Sequence, residues 1–217
     1  MSIDRAGFPF IAGPLVVGLL LLVWKRPVLA GLFLALSAFM AFFFRDPERR
    51  VPPGDDLVVS PADGRVMVAG PAEPGLAPPG TWQQVTIFLS PLDVHINRVP
   101  FGGRVTRLDY QPGRFLPAYR AESGRENERT EMWIERGGTV VVARQVVGVL
   151  ARRVVCRLHE GARAATGDRY GLMKFGSRMD VFVPPDARLA VAAGDRVRGG
   201  ETPIARVVPP AGRLEAR

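Results

Sequence analysis

Gly171-Leu172-Met173-Lys174-Phe175-Gly176-Ser177-Arg178-Met179-Asp180-Val181-Phe182-Val183-Pro184 is the stretch from which the rest of the chain is read. A Gly-Ser pair is followed directly by a strand-like alternation, Met179, Val181 and Val183 against Arg178, Asp180 and Pro184. Glycine permits backbone angles closed to other residues, so the Gly176 carbonyl can be turned toward the Ser177 hydroxyl. Attack by that hydroxyl on the preceding carbonyl would convert the peptide into an ester. Elimination and hydrolysis would then leave a pyruvoyl group at a new N-terminus in place of Ser177. A Gly-Ser dipeptide alone reads as an ordinary turn. The flanking residues set this one apart.

Outward from that strand, short β-like runs punctuated by glycine and proline fill the chain from Leu57 onward. The candidates are 57–60, 65–69, 83–88, 103–110, 130–134, 139–147, 154–158, 179–183, 188–190 and 204–208. This spacing predicts an all-β sandwich or barrel-like domain rather than alternating βαβ units. The segment from Gly194 to Ala205 resembles the turn-and-strand unit of lipoyl and biotinyl barrel-sandwich hybrids, and 167–173 is a weaker copy. Such a near-repeat supports two quasi-symmetric β layers. The expected fold is mainly β, a barrel-sandwich-hybrid-like domain over 51–217, preceded by an N-terminal helical membrane hairpin with its linker start over 1–50.

Two nearly uninterrupted apolar runs, Phe8 to Trp24 and Val28 to Phe44, carry the hairpin reading, with Lys25-Arg26-Pro27 as the turn. Each is about 17 residues, the short end of what crosses a bilayer as a helix. Neither run offers the polar face that a surface helix pair of a soluble protein needs. No small-residue cleavage site follows a short apolar core, which disfavours a removable signal peptide. Spanning and re-entrant arrangements both remain open. Arg5 before the hairpin and Arg45, Arg49 and Arg50 after it outnumber the turn's Lys25 and Arg26, placing both ends in the cytoplasm.

The net charge of +8 fits an anionic partner such as a lipid surface, phosphate groups or nucleic acid. The arginines are scattered and accompany no recognised nucleic-acid motif, so no nucleic-acid partner is expected. Cys156 is the single cysteine, which excludes an intrachain disulfide. No metal site is indicated with one cysteine and two histidines of unlike context. The segment 111–129 breaks the β rhythm with an apolar island, Phe115-Leu116-Pro117-Ala118-Tyr119, between charges. A loop of this length is either functional or disordered. As a functional loop it is expected to lie over the active site and against the membrane.

A nucleophilic serine needs a proton acceptor and a group that holds the developing oxyanion. Of the two histidines, His95 follows an apolar strand, and strand ends project polar groups well; His159 sits in a polar turn and reads as structural. Asp63, in Pro61-Ala62-Asp63-Gly64, reads by itself as a turn aspartate.

The block around Ser177 closely resembles the processing site of phosphatidylserine decarboxylases, in particular the short Gly-Ser subclass of bacteria and archaea. The resemblance extends, in order, to Phe43-Phe44-Arg45-Asp46-Pro47, Ser60-Pro61-Ala62-Asp63-Gly64, Asp93-Val94-His95-Ile96-Asn97-Arg98-Val99-Pro100 and Glu126-Asn127-Glu128-Arg129. It implies self-cleavage between Gly176 and Ser177 into a large and a small chain that stay together as a heterodimer. It further implies a pyruvoyl cofactor derived from Ser177, and a Schiff base with the amine of phosphatidylserine that leads to phosphatidylethanolamine. Asp63 and Ser177 match the acid and the serine of the family's processing triad. His95 matches the histidine implicated in substrate handling and protonation. The second histidine of the long forms is replaced here by Arg98. The base for self-cleavage is therefore His95 in both roles, Asp63 acting directly, or a water. The resemblance also implies a cell (inner) membrane enzyme with its catalytic domain on the cytoplasmic side.

Three other functions compete. A membrane-tethered barrel-sandwich adaptor is suggested by 194–205, but that segment has no lysine for a carried group. A pyruvoyl decarboxylase of a soluble amino acid would leave the apolar hairpin without a use. A nucleic-acid binder has the least support.

Overall fold

The computed structural model describes residues 2–149, 154–174 and 177–208. The chain divides into two compact units, Met1–Glu48 and Arg49–Arg217. In the first, β1 (Ser2–Ile3) and a single 3-10 turn (Arg5–Gly7) lead into α1 (Phe8–Val23), then α2 (Pro27–Phe43) and β2 (Arg45–Asp46). Asp4 caps the 3-10 turn by accepting the Ala6 N–H at 2.9 Å. Lys25 takes a left-handed φ of 54° where the chain reverses, and Pro27 opens α2 at a position where its missing N–H costs nothing. The base is closed by β1 pairing antiparallel with β2. Between the helices, the Ser37 hydroxyl donates to the Ile11 carbonyl at 2.8 Å. A Cβ on Gly18 would lie 3.0 Å from Leu34 Cδ2, so glycine allows this close approach.

Most apolar side chains of both helices are exposed, Leu19, Leu20, Leu22, Val23, Leu29 and Leu32 among them. The helical stretch Arg5–Val23 is long and apolar enough to cross a membrane; Pro27–Phe43 is a shorter apolar helix.

The second unit is built of β3 (Leu57–Val59), β4 (Gly64–Pro71), β5 (Gln83–Leu89), β6 (Ile96–Arg98), β7 (Gly103–Gln111), a four-residue α3 (Ser123–Glu126), β8 (Arg129–Arg136) and β9 (Thr139–Val147). Then come β10 (Val154–Cys156), β11 (Arg163–Ala164), β12 (Arg169–Met173), β13 (Ser177–Val183), β14 (Arg188–Leu189), β15 (Arg196–Val197) and β16 (Pro203–Arg206). Eight strands form one antiparallel sheet in the order β11-β7-β8-β9-β13-β5-β4-β15. Two three-stranded sheets, β10-β12-β6 and β14-β16-β3, contribute to the same core. The unit is mainly β, as expected. The large sheet is open at β11 and β15 rather than closed into a barrel, so the hybrid description holds only loosely.

Period-two alternation makes the core. Val85, Ile87 and Leu89, with Met179, Val181 and Val183 beside them, pack with Tyr170 and Met173 from β12 and Ile204 from β16. The other face of β13 is also buried. Phe182 packs there with Leu76 and Val142. Asp180 Oδ1 accepts from Arg178 Nε at 2.8 Å and from the Thr86 hydroxyl at 2.7 Å, so the polar half of the alternation is an internal ion pair rather than a wet face.

The near-repeat is visible in the backbone. In 165–168 and again in 192–195, a glycine with positive φ (86° and 100°) precedes an aspartate that accepts its i−3 N–H, at 2.7 and 2.8 Å. Each unit clamps one strand end with the same bond pair: Gly167 N–H to the Val99 carbonyl with Val99 N–H to Asp168, and Gly194 N–H to Val66 with Val66 N–H to Asp195. The likeness is one of turns and registers.

Candidate functional site

Ser177 opens β13 in the middle of the large sheet, opposite Leu89, the last residue of β5, and Val147, the last of β9. Alternation sends its side chain to the core face with Met179 and Val181. It is fully buried, and its Oγ has no hydrogen-bond partner among the described residues. Gly176, the other half of the expected cleavage site, lies outside the described residues.

Strand pairing gathers the other candidates at the same corner. β5 neighbours β13 in the large sheet, and β6 neighbours β12 in a small one. The β5–β6 and β12–β13 connections therefore join the same two sheets, one leaving from Leu89 and the other arriving at Ser177. His95 ends the first of these connections, immediately before β6, and is buried. Its Nδ1 lies 3.0 Å from the Asp93 carbonyl oxygen. A carbonyl only accepts, so Nδ1 carries the proton of the neutral ring and Nε2 is the basic nitrogen. Asp93 fixes this connection by accepting the Ser90 N–H at 2.8 Å.

Asp63 directly precedes β4, whose Arg65 is opposite Phe88 of β5. A Cβ on Gly64 would fall 2.2 Å from the Phe88 carbonyl oxygen, so only glycine lets β4 enter here. β4 and β13 are two spacings of about 4.8 Å apart, and Asp63 and Ser177 share one end of the sheet. The Asp63 oxygens are both engaged: Oδ1 accepts the Gly199 N–H at 2.7 Å, and Oδ2 accepts Arg49 Nη2 at 2.8 Å. The other Arg49 terminal nitrogen meets Glu201 at 3.3 Å. The Arg50 N–H, with Arg49 adding to it, holds the Glu201 carboxyl below its usual range. Arg98, which stands where the long forms have a histidine, donates Nη1 to the Gly167 carbonyl at 3.1 Å and runs past Gly200 beside Arg49. His95 and Ser177 thus approach one interior, while Asp63 sits at its margin in an arginine clasp.

Residues given no role from sequence complete the corner. Gln145 of β9 is opposite Met179, two residues from the Val147–Ser177 pair on the same face. Its Nε2 donates to Asn97 Oδ1 of β6 at 2.8 Å, tying the two sheets together. The sequence carried a signal for it: Val141, Ala143, Gln145 and Val147 alternate inward, and glutamine is the odd member. Tyr170 is also fully buried with its hydroxyl unpartnered among the described residues, and burial pushes its phenol well above its ordinary value. Burial likewise raises the Cys156 thiol, keeping it protonated.

The 112–128 segment is ordered by Asn127. That buried side chain accepts the Leu116 N–H at 2.9 Å and donates Nδ2 to the carbonyls of Leu116 and Val147, both at 2.8 Å. The loop is therefore pinned to the residue opposite Ser177. Its body packs on the other face of the sheet: the Arg120 carbonyl accepts from Arg178 at 3.4 Å, and the Tyr119 ring meets Phe88 edge-on at 6.3 Å. The loop expected over the Ser177 side chain lies behind that strand instead, because Arg178 and Phe88 face away from Ser177. Among the described residues no cluster of three or more His, Cys, Asp or Glu could hold a metal ion.

Comparison with known proteins adds a further finding. The family model described as phosphatidylserine decarboxylase matches residues 36–205. A phosphatidylserine decarboxylase proenzyme of Pelodictyon phaeoclathratiforme (strain DSM 5477 / BU-1) is 45% identical over 168 residues, 77% of this chain and 79% of that protein. A second protein of the same description, from Saccharopolyspora erythraea, is 44% identical over 210 residues, 93% of this chain and 87% of its own length.

Proposed function

The chain belongs to the phosphatidylserine decarboxylase family, and on that premise we propose that it converts phosphatidylserine to phosphatidylethanolamine with a pyruvoyl group made from its own Ser177. The observation that carries this reading is Ser177 itself, a buried hydroxyl without a partner among the described residues, at the head of a central strand and beside the connection that ends in His95.

Self-cleavage is the first reaction. Ser177 Oγ attacks the Gly176 carbonyl carbon as its proton leaves to a base. The Gly176–Ser177 C–N bond then breaks with a proton returning to the nitrogen, and the peptide has become an ester with a free Ser177 amine. Elimination then frees the Gly176 carboxylate, and water replaces the resulting enamine nitrogen, which departs as ammonia. His95 Nε2 is the basic ring nitrogen at this corner. Asp63 organises the corner through Arg49 and Gly199. The cut leaves β13 paired to β5 over seven residues and to β9 over six, so the small chain stays in the sheet without a disulfide.

Decarboxylation is the second reaction, and the pyruvoyl carbonyl supplies the electron sink for it. His95 Nε2 takes a proton from the incoming substrate ammonium and returns it to the substrate carbon after CO2 departs. The low polarity of the surrounding core favours loss of a carboxylate charge over its retention. The apolar Arg5–Val23 helix suits a substrate dissolved in a bilayer, with the catalytic unit on the cytoplasmic side of the inner membrane.

Two variants separate these roles. His95→Ala should abolish turnover; if that chain still cuts itself, His95 serves only the second reaction. Asp63→Asn keeps an acceptor for Gly199 but loses the Arg49 ion pair, whose side chains are only 7% and 17% exposed. Its expected cost is about 2 kcal/mol, or about 4–8 °C in Tm. Arg49→Gln should show the same fall in Tm. A slower cut in Asp63→Asn alone would give the carboxylate a chemical part, and equal slowing in both would make the clasp purely structural. Intact mass of purified wild-type protein tests the whole reading: two chains, the smaller beginning at a pyruvoyl group, are expected. An active but uncut protein overturns it.

A further inference from the structure

Among the described residues, Asn97 and Gln145 leave a hydrogen-bond donor and an acceptor unused in the core. Both side chains are buried, 0% and 1% exposed, yet Asn97 Nδ2 and Gln145 Oε1 have no partner among the described residues. The amide orientation follows from the surroundings. Gln145 Nε2 donates to Asn97 Oδ1 at 2.8 Å and to the Val155 carbonyl at 3.4 Å. Turning both amides over would keep the first bond but set a carbonyl oxygen against the Val155 carbonyl, so Nε2 faces Val155 and Asn97 accepts with Oδ1. Asn97 then has only Nδ2 to offer. The packing is tight, since a Cβ on Gly171 would lie 2.9 Å from Gln145 Nε2 and 2.2 Å from the Val155 carbonyl oxygen. A buried amide hydrogen left without a partner is destabilising, and one kept beside a reactive centre calls for a ligand. Asn97 lies in β6 two residues after His95, which immediately precedes that strand, and its partner Gln145 is opposite Met179, two residues from Ser177.

We propose that Asn97 Nδ2 is the donor that receives the carboxylate of the substrate headgroup, with Gln145 as the positioning residue that turns it inward. This rests on the decarboxylase reading above and adds a residue to it. The chemistry favours a neutral donor. An arginine would stabilise the carboxylate in the ground state and oppose the loss of its charge, whereas a carboxamide orients it without that penalty. Among the described residues, the nearby Arg98 and Arg178 are turned away, to the Gly167 carbonyl and to Asp180.

The test is Asn97→Asp in the full chain. It retains an acceptor for Gln145 but sets an oxygen where the donor was. Self-cleavage should proceed, by intact mass. KM for a short-chain phosphatidylserine should rise at least tenfold, while inhibition by the matching phosphatidylethanolamine, which has no carboxylate, stays within twofold. Gln145→Glu, which draws Nδ2 to itself, should repeat this pattern and carries the test if Asn97→Asp does not fold. An unchanged KM, or an equal loss of affinity for both lipids, overturns the proposal. A wild-type chain that neither cuts itself nor turns over phosphatidylserine overturns the underlying reading instead.

Discussion

Ser177→Ala should remain a single 23.6 kDa chain with no decarboxylase activity. The variant removes one oxygen, and with it the nucleophile that starts the cut. Without the cut there is no electron sink, so the loss should reach the limit of detection rather than a fraction of wild type. The structure separates this from misfolding. Ser177 Oγ is buried without a partner among the described residues, so deleting it removes an unsatisfied polar atom from the core. Such a deletion is neutral or stabilising by up to about 1 kcal/mol. Tm should therefore hold or rise while activity vanishes. A gel and an intact mass check the chain, and CO2 release from carboxyl-labelled substrate checks the chemistry. A Ser177→Ala protein that turns over would remove Ser177 from the reaction.

Much of this was readable in the sequence where the pattern was local. The apolar runs became α1 and α2 within one residue of their expected limits, because uninterrupted apolar character bounded by Lys25-Arg26-Pro27 leaves few alternatives. The strands at 83–88, 139–147 and 179–183 were legible from β-branched alternation. What was not legible depends on pairing between distant segments. β6 is three residues of Ile-Asn-Arg, polar enough to read as a loop, and it is a strand only because β12 lies beside it. Asn127 stands in a charged stretch, and its value lies in reaching Val147, twenty residues on. Asp63 was legible as a turn aspartate, but its hold on Arg49 and Gly199 comes from separate parts of the chain. The Gln145–Asn97 bridge spans 48 residues, and neither side chain signals the other in sequence.

Replacing Phe115 and Tyr119 together by serine should cut turnover on vesicles about tenfold and leave turnover on a short-chain, water-soluble phosphatidylserine unchanged. Phe115 is 38% and Tyr119 61% exposed, and Leu92, on the β5–β6 connection, is 64% exposed. Leu116 is the poorer target, since its side chain is already half-buried. Beside the aromatic pair Tyr119–Phe88, register places Arg65 directly opposite Arg196 across β4 and β15. Like charges so opposed are unfavourable, and neither makes an ion pair among the described residues, so anionic headgroups would relieve them. Full burial of two such apolar side chains contributes about 3–6 kcal/mol before ordering costs, and 1.4 kcal/mol surviving those costs already gives tenfold. Self-cleavage should be normal, because Tyr119 packs with Phe88 on the sheet face opposite Ser177 and Phe115 is exposed. Arg65→Gln with Arg196→Gln should weaken vesicle turnover at low salt and approach wild type at high salt, where the Debye length falls to about 3 Å at 1 M. Equal losses on vesicles and on the soluble substrate would mean that the loop supports the fold and takes no part in reaching the lipid.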